Sequence, residues 1–230
     1  MKKIILLVVL LLIIAFVLFI YVSFYGLPWK KTQVSKELKQ YVEEKYDIKI
    51  DIKESYFNFK FDNYGTIFTL KDDKELSFSA EKQRDNTLHD YYPEAVWEKE
   101  VKGDLVPLID SSFESLSVDR YGVHPVYGIG NLEDIKKDVP SYKDVQTGIN
   151  VVIHFKEERS SKTEEALIKE VVSFIQKVNE KEIKNIELTF YLKEQELEDK
   201  KPETFYIRIP SDKLNSIKAE DDVKKYIQVF

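Results

Sequence analysis

The chain offers chemistry few instruments. It has three histidines, His89, His124 and His154, and no cysteine. Thiolate nucleophiles, disulfides and cysteine-ligated zinc are therefore out of reach. No two histidines stand four residues apart, the spacing that places both imidazoles on one helix face for a metal. His154 alternates with Ile153 and Phe155 and belongs on the polar face of a strand. His89 precedes a helical pattern and could help to cap it. His124, followed by Pro125 in an irregular stretch, is the best placed of the three for a functional role. Carboxylates occur in adjacent pairs, Asp72-Asp73, Glu157-Glu158, Glu164-Glu165 and Asp221-Asp222. Two acids facing each other across a cleft would suit glycoside hydrolysis. Neighbours in sequence point different ways, however, and runs of this kind usually form solvated faces. No D-x-[DN]-x-[DN]-G calcium loop is present.

The remaining signatures are weak. Ser111-Ser112 and Ser160-Ser161 lack the G-x-S-x-G context of a nucleophile elbow. Gly128-x-Gly130 does not complete a dinucleotide-binding G-x-G-x-x-G, because Asp134 stands near the place of the third glycine. It reads as a turn. Aromatics are in excess at 13% of residues. Tyr91, Tyr92 and Trp97 gather at the start of a helix with offsets of five and six, which one narrow stripe cannot accommodate. With His124 they form a candidate partner surface, set against the alternative of core packing. No catalytic residue, cofactor or metal site is implied.

The element that positions all of this is Ile4 to Tyr25, an apolar run without a charge. As a helix its 22 residues span roughly 33 Å, the thickness of a bilayer core. The apolar core exceeds that of a secretory signal, and no A-x-A-like site follows it. An uncleaved signal-anchor is expected, with cleavage near Gly26 as the alternative. Lys2 and Lys3 balance Lys30 and Lys31, so the lysine count leaves orientation tied. The leader-like arrangement favours a cytoplasmic N-terminus and an extracellular C-terminal domain. Tyr21, Phe24, Tyr25 and Trp29 would form the aromatic belt, and Gly26 and Pro28 would end the helix.

Residues 1–31 carry +4 and the whole chain −6, so residues 32–230 carry −10. An acidic domain repels phosphate backbones, and nucleic-acid binding is not expected. The lysine-, glutamate- and tyrosine-rich, glycine-poor usage resembles that of a Gram-positive bacterium.

Periodicity predicts the rest. A helix over 32–46 presents Val34, Leu38, Tyr41 and Val42. Ile48, Ile50 and Ile52 alternate as a strand, and the alternation resumes out of phase as Phe57, Phe59 and Phe61. A bulge near Glu54 and Ser55 would switch the parity. Asp62 to Gly65 is turn chemistry, followed by strands from Thr66 to Leu70 and Glu75 to Ala80. A long helix, roughly Asp90 to Phe113, contains Gly103 and Pro107. A short strand lies near Leu116 to Tyr121. Gly122 to Gly148 is irregular, with one short helix at Leu132 to Lys137. Beyond it come a strand over Ile149 to Phe155, a capping box at Ser161-x-x-Glu164 and its helix. Two alternating strands around Ile186 and Phe205 follow, with a polar loop over 194–201 between them. A last helix is expected at about Ala219 to Gln228. The expected fold is α+β: a transmembrane helix and interfacial linker (1–31), then two modules (32–118 and 119–230) of antiparallel sheet packed on helices.

The stretches Tyr25-Gly-Leu-Pro-Trp-Lys-Lys31, Tyr41-Val-Glu-Glu-Lys-Tyr46 and Tyr91-Tyr-Pro-Glu-Ala-Val-Trp-Glu-Lys99 join the anchor ahead of them and the ending Ile217-Lys-Ala-Glu-Asp-Asp-Val-Lys-Lys-Tyr226. Together they resemble the uncharacterised membrane-anchored proteins of Bacillus and relatives labelled YfjL-like. The resemblance implies placement and fold and carries no mechanism. The function expected is that of a non-catalytic binding, sensing or assembly module of the cell envelope, with a protein or envelope partner. A cell-surface hydrolase acting on wall polymer is the alternative.

Overall fold

In the computed structural model, residues 2–125, 135–145, 148–193 and 204–230 are described. The fold is α+β and divides into two compact units, Met1–Ala95 with Ile135–Val139, and Val96–Asp134 with Pro140–Phe230.

Unit 1 begins with α1 (Lys2–Tyr25), a helix with no buried residue. It is long and apolar enough to cross a membrane. Gly26 then breaks the helix at a φ of +67°, and Pro28 opens the next one. Proline was expected to close a helix here. It instead occupies the first position of α2 (Pro28–Tyr46), where its missing N–H costs nothing. Val34, Leu38, Val42 and Tyr46 are buried along one face of α2. They cover an antiparallel sheet, β1 (Ile50–Asn58), β2 (Asn63–Leu70), β3 (Ser77–Lys82) and β4 (Leu88–Asp90), ordered as in the chain. The core beneath α2 includes Ile50, Phe68, Phe78 and Ala80. The register of β1 on β2 shifts between Ile52 and Glu54, where the change of parity requires a bulge. Leu88–Asp90 adds a fourth strand to the expected meander.

One expectation fails at the β1–β2 connection. The strand stops at Asn58, so Phe59 and Phe61 lie in the turn and are exposed. Asn63, Tyr64 and Gly65, expected in the turn, belong to β2. The turn comes early because Asp62 takes the left-handed conformation at φ 56°, which aspartate tolerates better than most residues.

The joint between α1 and the sheet is tight. A Cβ on Gly26 would stand 2.7 Å from Phe57 Cγ. The Leu27 N–H donates to Tyr64 Oη at 3.1 Å, and the Lys30 ammonium lies 4.7 Å over the Tyr64 ring. Gly26→Ala is therefore expected to cost about 1–2 kcal/mol from the left-handed backbone alone, before the clash with Phe57. Amide exchange in the full chain should accelerate at Phe57 and Tyr64 while β3 is unchanged.

The division between the units falls within α3 (Tyr92–Asp110), which carries Gly103 and Pro107 as one helix. Unit 2 holds a five-stranded sheet, β5 (Val118–Pro125), β6 (Ile149–Glu158), β7 (Ile186–Lys193), β8 (Phe205–Ile209) and β9 (Ile227–Val229), in chain order. The sheet is mixed rather than antiparallel. β6 and β7 run parallel because α4 (Ser161–Glu180) carries the chain back between them. Its buried face, Leu167, Val171, Phe174, Ile175 and Val178, follows the expected spacing. Phe174 meets Phe113 and Phe190 at ring-centroid distances of 5.4 and 6.0 Å. The capping box sits one residue early: Ser160 Oγ accepts from the Thr163 N–H, and Thr163 Oγ1 from the Ser160 N–H. Glu164 pairs instead with Arg159.

The expected last helix starts at its predicted place but is short: α5 (Glu220–Lys224) follows a 3-10 turn (Ser211–Ser216) and gives way to β9, which pairs with β8. Of the helix expected at 132–137, only 135–137 are described, and they are not helical. Gly128, Gly130 and the polar loop over 194–201 lie outside the described residues.

Candidate functional site

A buried polar group in unit 1 surrounds Asp90, the last residue of β4. One carboxylate oxygen, Oδ1, accepts from Tyr46 Oη at 2.8 Å and from the Tyr92 N–H at 3.2 Å. The other, Oδ2, accepts from Lys45 Nζ at 2.9 Å and from Tyr41 Oη at 3.2 Å. Tyr41, Lys45 and Tyr46 all come from the last turns of α2, where offsets of four and five bring them to the same edge. The carboxylate is thus saturated by four donors and ties α2 to β4.

Burial pushes the Tyr46 hydroxyl well above its ordinary range, and the Asp90 charge adds to the effect. Tyr41 is raised for the same first reason. Burial is the largest influence on the Lys45 ammonium and opposes it, but the hydrogen bonds and charges of Asp90 and Tyr41 together outweigh it and raise the pKa.

Glu94 is the exception. It lies in the first turn of α3, only 7% exposed, and neither of its carboxylate oxygens has a hydrogen-bond partner among the described residues. Burial, with the Asp90 charge adding to it, raises its pKa to about 7. A carboxyl whose pKa is raised beside an engaged carboxylate is a pairing that acid–base enzymes use. Here, however, all four donors around Asp90 are already engaged, and Glu94 is enclosed by packed side chains.

The four residues of the candidate partner surface divide between the units, and Tyr92 and Trp97 are buried. Tyr92 is buried in unit 1, with its ring 4.7 Å from Tyr46 and 5.0 Å from Phe78. Trp97 is buried in unit 2, where its indole N–H donates to the Pro140 carbonyl at 2.7 Å. Tyr91 is half-buried against the His89 ring at 4.7 Å. His124 is exposed on β5, opposite Asn150. His154 stacks on Tyr191 at 4.8 Å, and its pKa is lowered, chiefly by burial.

Several of the adjacent acids are engaged as surface partners. Glu157 accepts from the Ser117 N–H, Asp221 pairs with Lys224, and Asp222 pairs with Lys225. Ser111 donates to the Leu108 carbonyl, as a residue at a helix end does. Among the described residues no three His, Asp or Glu side chains gather as a metal group would. A wide groove along α2 is lined by Lys36, Lys39, Glu43, Glu44, Asp47 and Lys49, and its mixed charges select neither anion nor cation.

Sequence reasoning passed over Asp90, Glu94 and Lys45. The available signals were the i, i+4 offsets of Tyr41 with Lys45 and of Asp90 with Glu94. Nothing in the sequence told that these two pairs, more than 40 residues apart, share one buried site.

Residues 1–94 match the family model described as "YfjL-like, N-terminal domain". No curated protein matches the chain. Among solved structures, a DUF5037 family protein from Ruminococcus gnavus ATCC 29149, determined by crystallography, aligns at 12% identity and a TM-score of 0.39, covering 69% of this chain and 73% of that one. The span of the family model ends one residue short of Ala95, where the first segment of unit 1 ends. Unit 1, with its apolar helix, its sheet and the Asp90 cluster, is thus similar to the YfjL-like N-terminal domain.

Proposed function

We propose that this chain is a non-catalytic binding module of a bacterial cell envelope. In this reading α1 spans the membrane, the α+β units lie outside, and a protein or envelope component is the partner. The observation that carries the proposal is α1: 24 residues, uncharged from Ile4 to Tyr25, with no side chain buried against the protein. An exposed apolar surface of that size is stable only in lipid or against another apolar partner. The binding reading is supported by the Asp90 cluster, whose donors are spent on the Asp90 carboxylate and serve as a structural latch. The hydrolase reading would rest on Glu94, and substrate would have to displace the packing that raises its pKa.

Placement is tested in a bacterial host producing the full chain. The protein is expected to stay in the membrane pellet through an alkaline carbonate wash. Protease added to cells stripped of their wall is expected to digest residues beyond α1. Release by carbonate would reject the anchor, and digestion only after lysis would reverse the orientation. Retained wall-polymer hydrolysis that is lost in Glu94→Gln would favour the hydrolase.

A further inference from the structure

The tip of the β1–β2 hairpin stands beside the end of α1. Its four residues are Phe59, Lys60, Phe61 and Asp62. Phe59 is 52% exposed and Phe61 68% exposed, a conspicuous use of large apolar side chains on a tight polar turn. The turn is positioned by contacts within unit 1. The Phe59 ring lies 5.2 Å from the ring of Phe24, in the last turn of α1. Behind it, Gly26 passes closely against Phe57 and Tyr64, and Tyr64 accepts from the Leu27 N–H. The turn is therefore tied to the helix end.

Phe24 stands 20 residues after Ile4, about 30 Å along a helix, or one hydrocarbon thickness. When α1 spans a bilayer, Phe24 lies at the boundary between acyl chains and headgroups, and Phe59 lies at the same depth. The same level holds Tyr21 stacked on Tyr25 at 5.0 Å, and Trp29, which is 68% exposed. Lys30 and Lys60 are exposed there as well. Exposed aromatics with lysines at one level are the composition that the membrane interface favours.

We propose that the 59–62 turn is a second membrane contact. Phe59 and Phe61 seat in the headgroup–acyl boundary of the leaflet at the C-terminal end of α1, and Lys60 faces lipid phosphates. The lipid surface is the occupant because the patch is continuous, through Phe24, with the apolar surface of α1. The contact rests on the reading of α1 as a membrane span. Its consequence is that unit 1 is docked on the bilayer in one orientation rather than tethered above it.

Because the chain has no cysteine, a single introduced thiol is a unique label. The full chain is reconstituted in vesicles of phosphatidylcholine and phosphatidylglycerol, with an NBD fluorophore on Lys60→Cys, on Phe16→Cys within α1, or on Asp72→Cys. Asp72 lies beyond the other end of β2, which at eight residues puts it about 26 Å from the tip. Lipids carrying a nitroxide near the headgroup are expected to remove most of the emission from the label at 60 and little from the label at 72. Adding Phe59→Ser and Phe61→Ser to the labelled Lys60→Cys chain is expected to restore that emission. If a deep nitroxide quenches the label at 16 but the label at 60 behaves like that at 72, the proposal falls and the anchor stands. If neither 16 nor 60 is quenched, the anchor reading and the proposal fall together. Quenching at 60 that disappears on diluting the protein in lipid would assign the turn to a second copy and overturn the lipid contact.

Discussion

Asp90→Ala is expected to destabilise unit 1 by about 3–5 kcal/mol, the usual cost of removing one partner from a buried charged pair. The carboxylate accepts four hydrogen bonds, from Tyr41, Lys45, Tyr46 and the Tyr92 N–H. Its removal leaves the Lys45 ammonium buried without a counter-charge, and it strands two hydroxyls. Burial already opposes the charged form of Lys45, so without Asp90 its pKa should fall below that of a free lysine. Asp90→Asn keeps the shape and one acceptor oxygen and should cost less. Hydrogen exchange on the full chain in detergent micelles is the check. Peptides from α2 and β4 should lose protection in Asp90→Ala, while α4 and β7 of unit 2 serve as the internal reference. Unchanged exchange in α2 would show that the cluster does not latch the unit.

Glu94→Gln is expected to have the opposite sign, and its effect should depend on pH. The Glu94 pKa is raised from 4.5 to about 7 in the folded protein, chiefly by burial. The folded state therefore holds its proton more tightly than the unfolded state. The stabilisation this provides is fully present below pH 4.5 and is lost as pH rises through 7. Over that window unit 1 should lose about 3 kcal/mol on this account, at 1.36 kcal/mol for each unit of pKa. Glu94→Gln removes the ionisation and should make unit 1 more stable than the parent by up to about 3 kcal/mol at pH 8. At pH 4.5 the two proteins should be nearly equal, because a neutral carboxyl and an amide are buried at similar cost. Denaturant unfolding at the two pH values, read through exchange of the α2 peptides, measures the difference. An equal effect at both would place the cause in packing rather than charge.

These two predictions bear on function through geometry. If the Asp90 cluster is a latch, its loss loosens α2, the element that follows the C-terminal end of α1. On the proposed reading of α1 as a membrane span, binding at the bilayer and stability of unit 1 would then be linked. An enzyme built on Glu94 would behave differently, losing turnover in Glu94→Gln while gaining stability.

Alternation of apolar and polar faces was informative for most elements, though not at Phe59 and Phe61, where the turn cuts the strand short. The stripe of Val34, Leu38 and Val42, the alternation of Ile149, Val151, Ile153 and Phe155, and the face of α4 all follow from burial at periods of 3.6 or 2. The bulge near Glu54 was legible because a change of parity has one simple physical cause. The short final strand was not, since Ile227–Val229 owes its form to pairing with β8 rather than to a pattern of its own.

Residue order alone is enough to reveal an apolar run of bilayer length, uncharged from Ile4 to Tyr25, ahead of an acidic α+β chain, because hydrophobicity and charge belong to the residues themselves. Three further features arise only from folding. Folding made the second sheet mixed, placed Phe59 and Phe61 on the exposed turn beside Phe24, and brought Tyr41, Lys45 and Tyr46 of α2 onto Asp90, with Glu94 four residues on in α3. Such arrangements depend on contacts between residues far apart in the chain, and local propensity carries no record of them.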